Sequence, residues 1–207
     1  ECHAGIHAQD ALTLGGSVLL PSGNDGHAAH ADGVIVFFPS LRPVLLLHAL
    51  RFDLGGKTVS ASAQISGAPV IRVLADVTVK NGTVDGTTGT NCYAFIVGNG
   101  ETAGALNIVG GTYKGDVSAI SVTKGTANIS GGYFEATEFE GAHEFTLNCI
   151  DANYTAGSAA IVVTGGTFYG FNPEENAAEG AETNFCELGY LATETIEGSD
   201  VWTVAEW

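Results

Sequence analysis

The sequence predicts an all-β fold, a right-handed parallel β-helix (solenoid), in which one short unit winds repeatedly around a common axis. Three observations predict it. Residues 104–134 write the unit twice, as Gly-Ala-Leu-Asn-Ile-Val-Gly-Gly-Thr-Tyr from Gly104 and as Gly-Thr-Ala-Asn-Ile-Ser-Gly-Gly-Tyr-Phe from Gly125. Aligned two residues before the Thr or Tyr, five copies stand at Gly56, Asn81, Gly110, Gly131 and Gly165, with Gly111, Gly132 and Gly166 completing the Gly-Gly pairs. The Thr or Tyr positions (Thr58, Thr83, Thr112, Tyr133 and Thr167) are separated by 25, 29, 21 and 34 residues, the spacing of a stacked repeat. Third, apolar and polar residues alternate ahead of each corner. Phe52 and Leu54, Val77 and Val79, Leu106 and Ile108, Ala127 and Ile129, and Ile161 and Val163 flank Asp53, Thr78, Asn107, Asn128 and Val162, mostly the period of two of a strand with one buried face.

A helix would need apolar residues three and four apart, and the recurring Gly, Thr and Val would each weaken it. The glycines suit a corner where φ > 0 or close backbone approach excludes a Cβ, and the aromatic after them can stack on the aromatic of the next coil. A second short strand is expected upstream of several units, at 70–73, 93–97, 119–123 and 147–150, which gives three strands per coil. Coils stacked at the ordinary strand spacing of about 4.8 Å make a rod of roughly 25–30 Å from five or six turns. The 29- and 34-residue steps are coils carrying loops.

The chain divides into an N-terminal cap or attachment segment with opening strands (1–50), the coils (51–170) and a C-terminal cap (171–207). In the first part, 14–21 and 34–38 read as short strands around a Gly-, Asn- and His-rich loop. A solenoid needs caps, because a bare end coil would expose an open edge and core. At the far end, Asn172-Pro173-Glu174-Glu175 followed by Gly180 reads as a short helix with an Asn cap. Residues 190–196 and 201–204 around Glu197-Gly-Ser-Asp200 read as a hairpin.

Composition excludes several functions. Twenty-three acids stand against seven bases, for a formal charge of −16, and no Lys or Arg follows Lys124. Nucleic acid and anionic membrane surfaces are therefore poor partners, since both are bound through Lys and Arg. Only 14% of residues are charged and mean hydropathy is +0.20, so the chain has a core to bury and should be compact and rigid. Cys2, Cys92, Cys149 and Cys186 show no C-x-x-C spacing, and free core thiols are the preferred reading over disulfides. The most apolar stretch, 44–54, is interrupted by His48, Arg51 and Asp53 and does not read as a membrane span. With no initiator Met and no signal peptide, the chain reads as processed or truncated.

From Val163, the run Val-Thr-Gly-Gly-Thr-Phe-Tyr-Gly-Phe-Asn-Pro, then Glu-Gly-Ala-Glu-Thr-Asn-Phe from Glu179, Gly189-Tyr190 and Val-Trp-Thr-Val from Val201 resemble the C-terminal part of a family of right-handed β-helix proteins. These belong to the pectate-lyase-like superfamily and occur in anaerobic gut bacteria and their phages, where some are head-fibre or tail-appendage proteins. The resemblance covers roughly 52–207, and Leu14–Pro21 resembles the superfamily's Gly-Gly-Thr-Val opening strand. It implies a trimeric rod on the virion surface, carried by a capsid or other virion protein and touching host or mucosal glycans.

An enzyme of the same fold is the rival, but fold alone confers no activity. Lyases of this kind pair Ca²⁺-binding acids with an Arg base, whereas Arg42, Arg51 and Arg72 all precede the well-formed coils. The Asn-Thr-Asp, Asp-Asp and Gly-His-Gly signatures of the hydrolases do not occur. Glu138 with Glu140, or Glu174 with Glu175, could be cast as a glycosidase pair, but they read better as a side loop and a helix start. His3 with His7 and His27 with His30 have weak metal spacing, and the acids 135, 138, 140, 144 and 151 lack an EF-hand pattern, so Ca²⁺ is a weak candidate and no cofactor is assigned. Exposed Thr, Asn, Tyr and Phe along the coils offer a sugar-binding surface, while inward aromatic and Asn stacks compete for the same residues. Regular Thr-x-Thr ladders that would suggest ice binding are absent.

The resulting expectation is a non-enzymatic structural or adhesive rod, a phage head-fibre or appendage protein. A bacterial surface or secreted carbohydrate-binding β-helix comes second, and a polysaccharide lyase or hydrolase third.

Overall fold

A computed structural model of the chain describes residues 51–61, 66–137 and 145–207 in full and, ahead of them, the backbone of 12–13, 30–31, 34–35 and 50. It is a β protein in which most strand pairs are parallel. The strands are β1 (Leu12–Thr13), β2 (His30–Ala31), β3 (Val34–Ile35), β4 (Leu50–Asp53), β5 (Thr58–Ser60), β6 (Pro69–Val73), β7 (Asp76–Lys80), β8 (Thr83–Asp85) and β9 (Tyr93–Val97). They continue as β10 (Gly104–Gly115), β11 (Ser118–Val122), β12 (Gly125–Ala136), β13 (Leu147–Cys149), β14 (Ala159–Tyr169), β15 (Tyr190–Glu194) and β16 (Val201–Glu206), with one helix among the described residues, α1 (Asp151–Thr155), between β13 and β14.

The strands form two sheets, one of 12 strands and one of four, the latter in the order β13-β11-β9-β6. From β6 onward the chain alternates between them: β6 in the short sheet, β7 and β8 in the long one, then β9, β10, β11, β12, β13 and β14 in turn. Every pairing within the short sheet is parallel, and its strands are the ones expected upstream of the repeat units.

In the long sheet the repeat spacing becomes strand register. Thr58 pairs with Thr83, Thr83 with Thr112, Thr112 with Tyr133 and Tyr133 with Thr167. The register shifts at the Gly-Gly pairs, where one unit must bend past another. Gly166 lies at φ +115°, in the region that favours glycine, and a Cβ on Gly165 would come within 2.5 Å of the Ser130 carbonyl oxygen. The corner thus needs glycine twice, once for conformation and once for space.

One expected alignment is corrected. Phe52 pairs with Val79, two residues out of step with the copy aligned through Leu54, whereas Thr58 returns to the expected register. The reason is a tight turn, closed by the Lys57 N–H donating to the Leu54 carbonyl at 2.8 Å, which takes up two residues ahead of the corner.

The alternation defines the core. Leu54, Val79, Leu106, Ile108, Ala127, Ile129, Ile161 and Val163 are all buried, with Phe52 and Val77 packed against them. Beyond the corner, Val59, Val84, Tyr113, Phe134 and Phe168 share one buried row. Its aromatics stack from strand to strand, Tyr113 to Phe134 at 5.4 Å between centroids and Phe134 to Phe168 at 5.0 Å with planes 13° apart. Phe95 from the short sheet meets Tyr113 at 5.4 Å, so both sheets contribute to one interior. Truncating a ring here to Ala should cost about 3–5 kcal/mol.

The short helix expected from Pro173 does not form. Asn172 Oδ1 does accept from the Glu174 N–H at 3.0 Å, as in a cap. However, the side-chain amide of Asn176 donates to the Asn172 carbonyl, the acceptor a first helical turn would need, while the Asn176 N–H goes to Thr183. The helix occurs instead as α1, inside the 34-residue step, tied by Asn153 Nδ2 donating to the Thr123 carbonyl at 2.6 Å.

The hairpin does form, and 171–207 covers both halves of β14. Val163 exchanges hydrogen bonds with Phe185 and Glu187, while β16 runs antiparallel along Gly166–Tyr169 and pairs on its other side with β15. Phe171, Ala178 and Phe185 join the core. Covering the last long strand in this way removes an open edge. Of the N-terminal expectations, β3 confirms strand within 34–38 and pairs parallel with β5; the opening strand at 14–21 lies outside the described residues.

Candidate functional site

Residues pointing away from the core lie in rows, because each parallel pairing brings equivalent positions together. Thr58, Thr83, Thr112, Tyr133 and Thr167 form one such row, and the hairpin extends it with Thr203 and Thr193. Two residues along each strand runs a second row: Ser60, Asp85, Lys114, Glu135, Tyr169 and Val201. The glycines of the repeat and Asn81 form the corner beside these rows; Asn81 takes φ +57°. The sequence contains no Thr-x-Thr ladder, and the row is a single file of Thr interrupted by Tyr133 and backed by charges.

Four residues of these rows converge. Lys114 Nζ lies 2.7 Å from Glu135 Oε2 and 5.7 Å from the centre of the Tyr133 ring, and the Tyr133 hydroxyl donates to the same Oε2 at 3.1 Å. Burial, and after it the Glu135 carboxylate, push the Tyr133 phenol up to about 12, with Tyr169 adding a smaller push. Tyr133 therefore stays protonated and serves as a hydrogen-bond donor. Tyr169 stands beside Glu135 in register and is 40% exposed. The sequence holds a signal for this cluster, since Lys114, Glu135 and Tyr169 each stand two residues past the aligned Thr or Tyr.

The Asn residues form an outward ladder and not an inward stack. Asn128 Nδ2 donates to Asn107 Oδ1 at 2.9 Å, and Asn107 Nδ2 donates to Asp76 Oδ1 at 2.9 Å. Nearby, Asp53 accepts from the Gly55 N–H and pairs with Lys80 at 3.1 Å, which hold its carboxyl below the usual range.

The other candidates are engaged structurally. Arg72 donates to the Gly98 carbonyl at 3.1 Å. Glu174 accepts the Ala192 N–H at 2.7 Å, so the pair Glu174 and Glu175 sits in a loop that clamps the hairpin and not at a helix start. Glu179 Oε1 accepts the Cys149 N–H at 2.5 Å, and burial pushes its carboxyl up. Cys92 is buried, with its Sγ donating to the Thr90 carbonyl at 3.4 Å. Cys149 and Cys186 are free thiols; burial raises Cys149, and raises Cys186 to about 11, so neither is a ready nucleophile at neutral pH. Glu138, Glu140, Glu144, Cys2, His3, His7 and His27 lie outside the described residues, as does the side chain of His30. Among the described residues no three His, Cys, Asp or Glu side chains converge on a metal-sized space, and no helix is long and apolar enough to cross a membrane.

No protein-family model, no curated protein and no solved structure matches this chain.

Proposed function

We propose that the repeat units wind into a right-handed parallel β-helix closed at its C-terminal end by 171–207, and that the chain is a non-enzymatic structural and adhesive rod, a phage head-fibre or virion appendage protein that contacts glycans. The observation that carries the architecture is the alternation of the chain between two sheets whose repeat strands pair in parallel around a single shared interior, each unit's Thr or Tyr in register with that of the one before. Parallel crossovers are right-handed in about 98% of cases, which sets the hand. The adhesive part draws on the outward rows of Thr, Tyr and paired charge, and the virion part on the resemblance of 163–204.

The test has two arms. Purified protein is applied to an array of neutral and acidic glycans while the same glycans are assayed for new reducing ends and unsaturated products. Binding without product supports the reading, product overturns the non-enzymatic part, and absence of binding overturns the adhesive part. Light scattering gives the mass: a trimer agrees with a fibre, a monomer with a bacterial surface or secreted binder. Gold-labelled antibody then separates those two, by decorating particles in one case and cell surfaces in the other.

A further inference from the structure

We propose that Lys114, Tyr133, Glu135 and Tyr169 form a subsite for an uncharged oligosaccharide, a proposal that rests on the adhesive reading above and names its site. The four side chains come from three neighbouring strands and meet on the outward face, where β10, β12 and β14 are held in register by the buried aromatic stack directly beneath. The cluster is therefore built on strands that are packed from beneath as well as paired side by side.

Its chemistry is that of a diol binder. Both internal bonds to Glu135 use Oε2, which leaves Oε1 to accept from a ligand hydroxyl. Lys114 has three N–H donors and one carboxylate partner, so an adjacent hydroxyl can accept from it. The Tyr169 ring supplies an apolar face for the C–H side of a pyranose, and the Thr112 and Thr167 hydroxyls flank the site with no partner among the described residues.

Charge selects the ligand class. Lys114 and Glu135 neutralise each other, Asp85 stands in register beside Lys114 with its Oδ1 taken by the Thr87 N–H and hydroxyl, and the chain as a whole carries −16. A polyanion finds no surplus positive charge here and meets a repulsive field, while a cation finds its carboxylate already paired. An uncharged saccharide is what remains complementary.

Cellohexaose, chitohexaose and mannohexaose, with polygalacturonate as the polyanion, would be titrated calorimetrically into the wild-type chain and into Tyr169→Ala, Glu135→Gln and Glu101→Gln, an exposed control in the turn between β9 and β10, outside both rows. The expected result is that at least one neutral hexasaccharide binds, that polygalacturonate does not, and that Tyr169→Ala weakens binding about tenfold. Glu135→Gln should weaken it too, and Glu101→Gln should leave it unchanged. Thermal melts of each variant separate a lost site from lost folding, and Tyr169, at an exposed strand end, should melt with the wild type. If the wild type binds a saccharide and folded Tyr169→Ala and Glu135→Gln bind it equally well, the site is wrong and the adhesive reading stands. If the wild type binds polygalacturonate instead, the charge argument is wrong. If it binds none of the saccharides here or on the array, both the site and the adhesive reading fall.

Discussion

The Glu174 carboxylate accepts a hydrogen bond from the backbone N–H of Ala192 at 2.7 Å, on the side of β15 turned away from β16. Strand β15 ends the 12-stranded sheet, so this N–H would otherwise be available to another chain. A carboxylate on an edge donor satisfies it and adds charge against edge-to-edge pairing. Glu174→Ala should lower stability by about 1.5 kcal/mol, the value of a hydrogen bond to a charged group. It should also increase self-association. Denaturant unfolding and concentration-dependent light scattering check the two effects separately; a variant as stable and as monodisperse as the wild type would remove this role.

The inward and outward assignments of β12 can be tested on adjacent residues. Ile129 is 1% exposed between Ile108 and Val163, whereas Asn128 is exposed and its side-chain amide donates to Asn107 Oδ1. Ile129→Asp places an unpaired charge in the core and should abolish folding, a loss above about 4 kcal/mol. Asn128→Asp removes one surface hydrogen bond and should cost about 1 kcal/mol. Circular dichroism and urea titration decide it, and similar losses would mean that the faces are misassigned.

Two glycines separate crowding from conformation. Gly165 has no positive φ, but a Cβ there would press on the Ser130 backbone, and Gly100 has open space around it. Gly165→Ala should destabilise by about 1–3 kcal/mol through forced backbone movement. Gly100→Ala should be neutral or stabilise by about 0.5 kcal/mol, because it restricts the unfolded chain. Melting temperatures in the opposite order would contradict the close stacking of the corners.

What was legible in the sequence was local geometry repeated. In the last three copies the second glycine of the corner takes the same φ, +113° at Gly111 and Gly132 and +115° at Gly166, and in the first two the positive φ falls one residue earlier, at Gly56 and Asn81. Each copy bends ahead of its Thr or Tyr, so the intervals between Thr58, Thr83, Thr112, Tyr133 and Thr167 translate into register. The first unit slipped because the turn at Leu54–Lys57 holds two residues that no pattern of apolar spacing marks. The C-terminal helix misread had a different origin: Asn-Pro-Glu-Glu is equally a helix start and an Asx turn, and the choice was made by Asn176, whose side chain competes for the Asn172 carbonyl. The outward cluster required register first, since Lys114, Glu135 and Tyr169 are 21 and 34 residues apart and acquire meaning only once their strands are side by side.

Glu179 makes the pH dependence of the C-terminal segment predictable. Its carboxylate reaches across to the Cys149 N–H, and burial raises its pKa above the usual 4.5 despite that bond, with Asp151 adding a further upward push. The folded chain therefore holds the Glu179 proton more tightly than the unfolded chain does. Between 4.5 and the raised folded value the native state binds more protons, so the contribution of Glu179 to stability falls as pH rises through that window and stays low above it. Glu179→Gln keeps an oxygen to accept the Cys149 N–H and removes the titration. Melting temperatures from pH 4 to pH 8 should thus show the wild type losing ground to Glu179→Gln as pH rises, with the difference levelling off above the folded pKa. A difference that is constant with pH would mean that Glu179 titrates as it does in the unfolded chain, and one that moves in the opposite sense would mean that the bond to Cys149 outweighs burial.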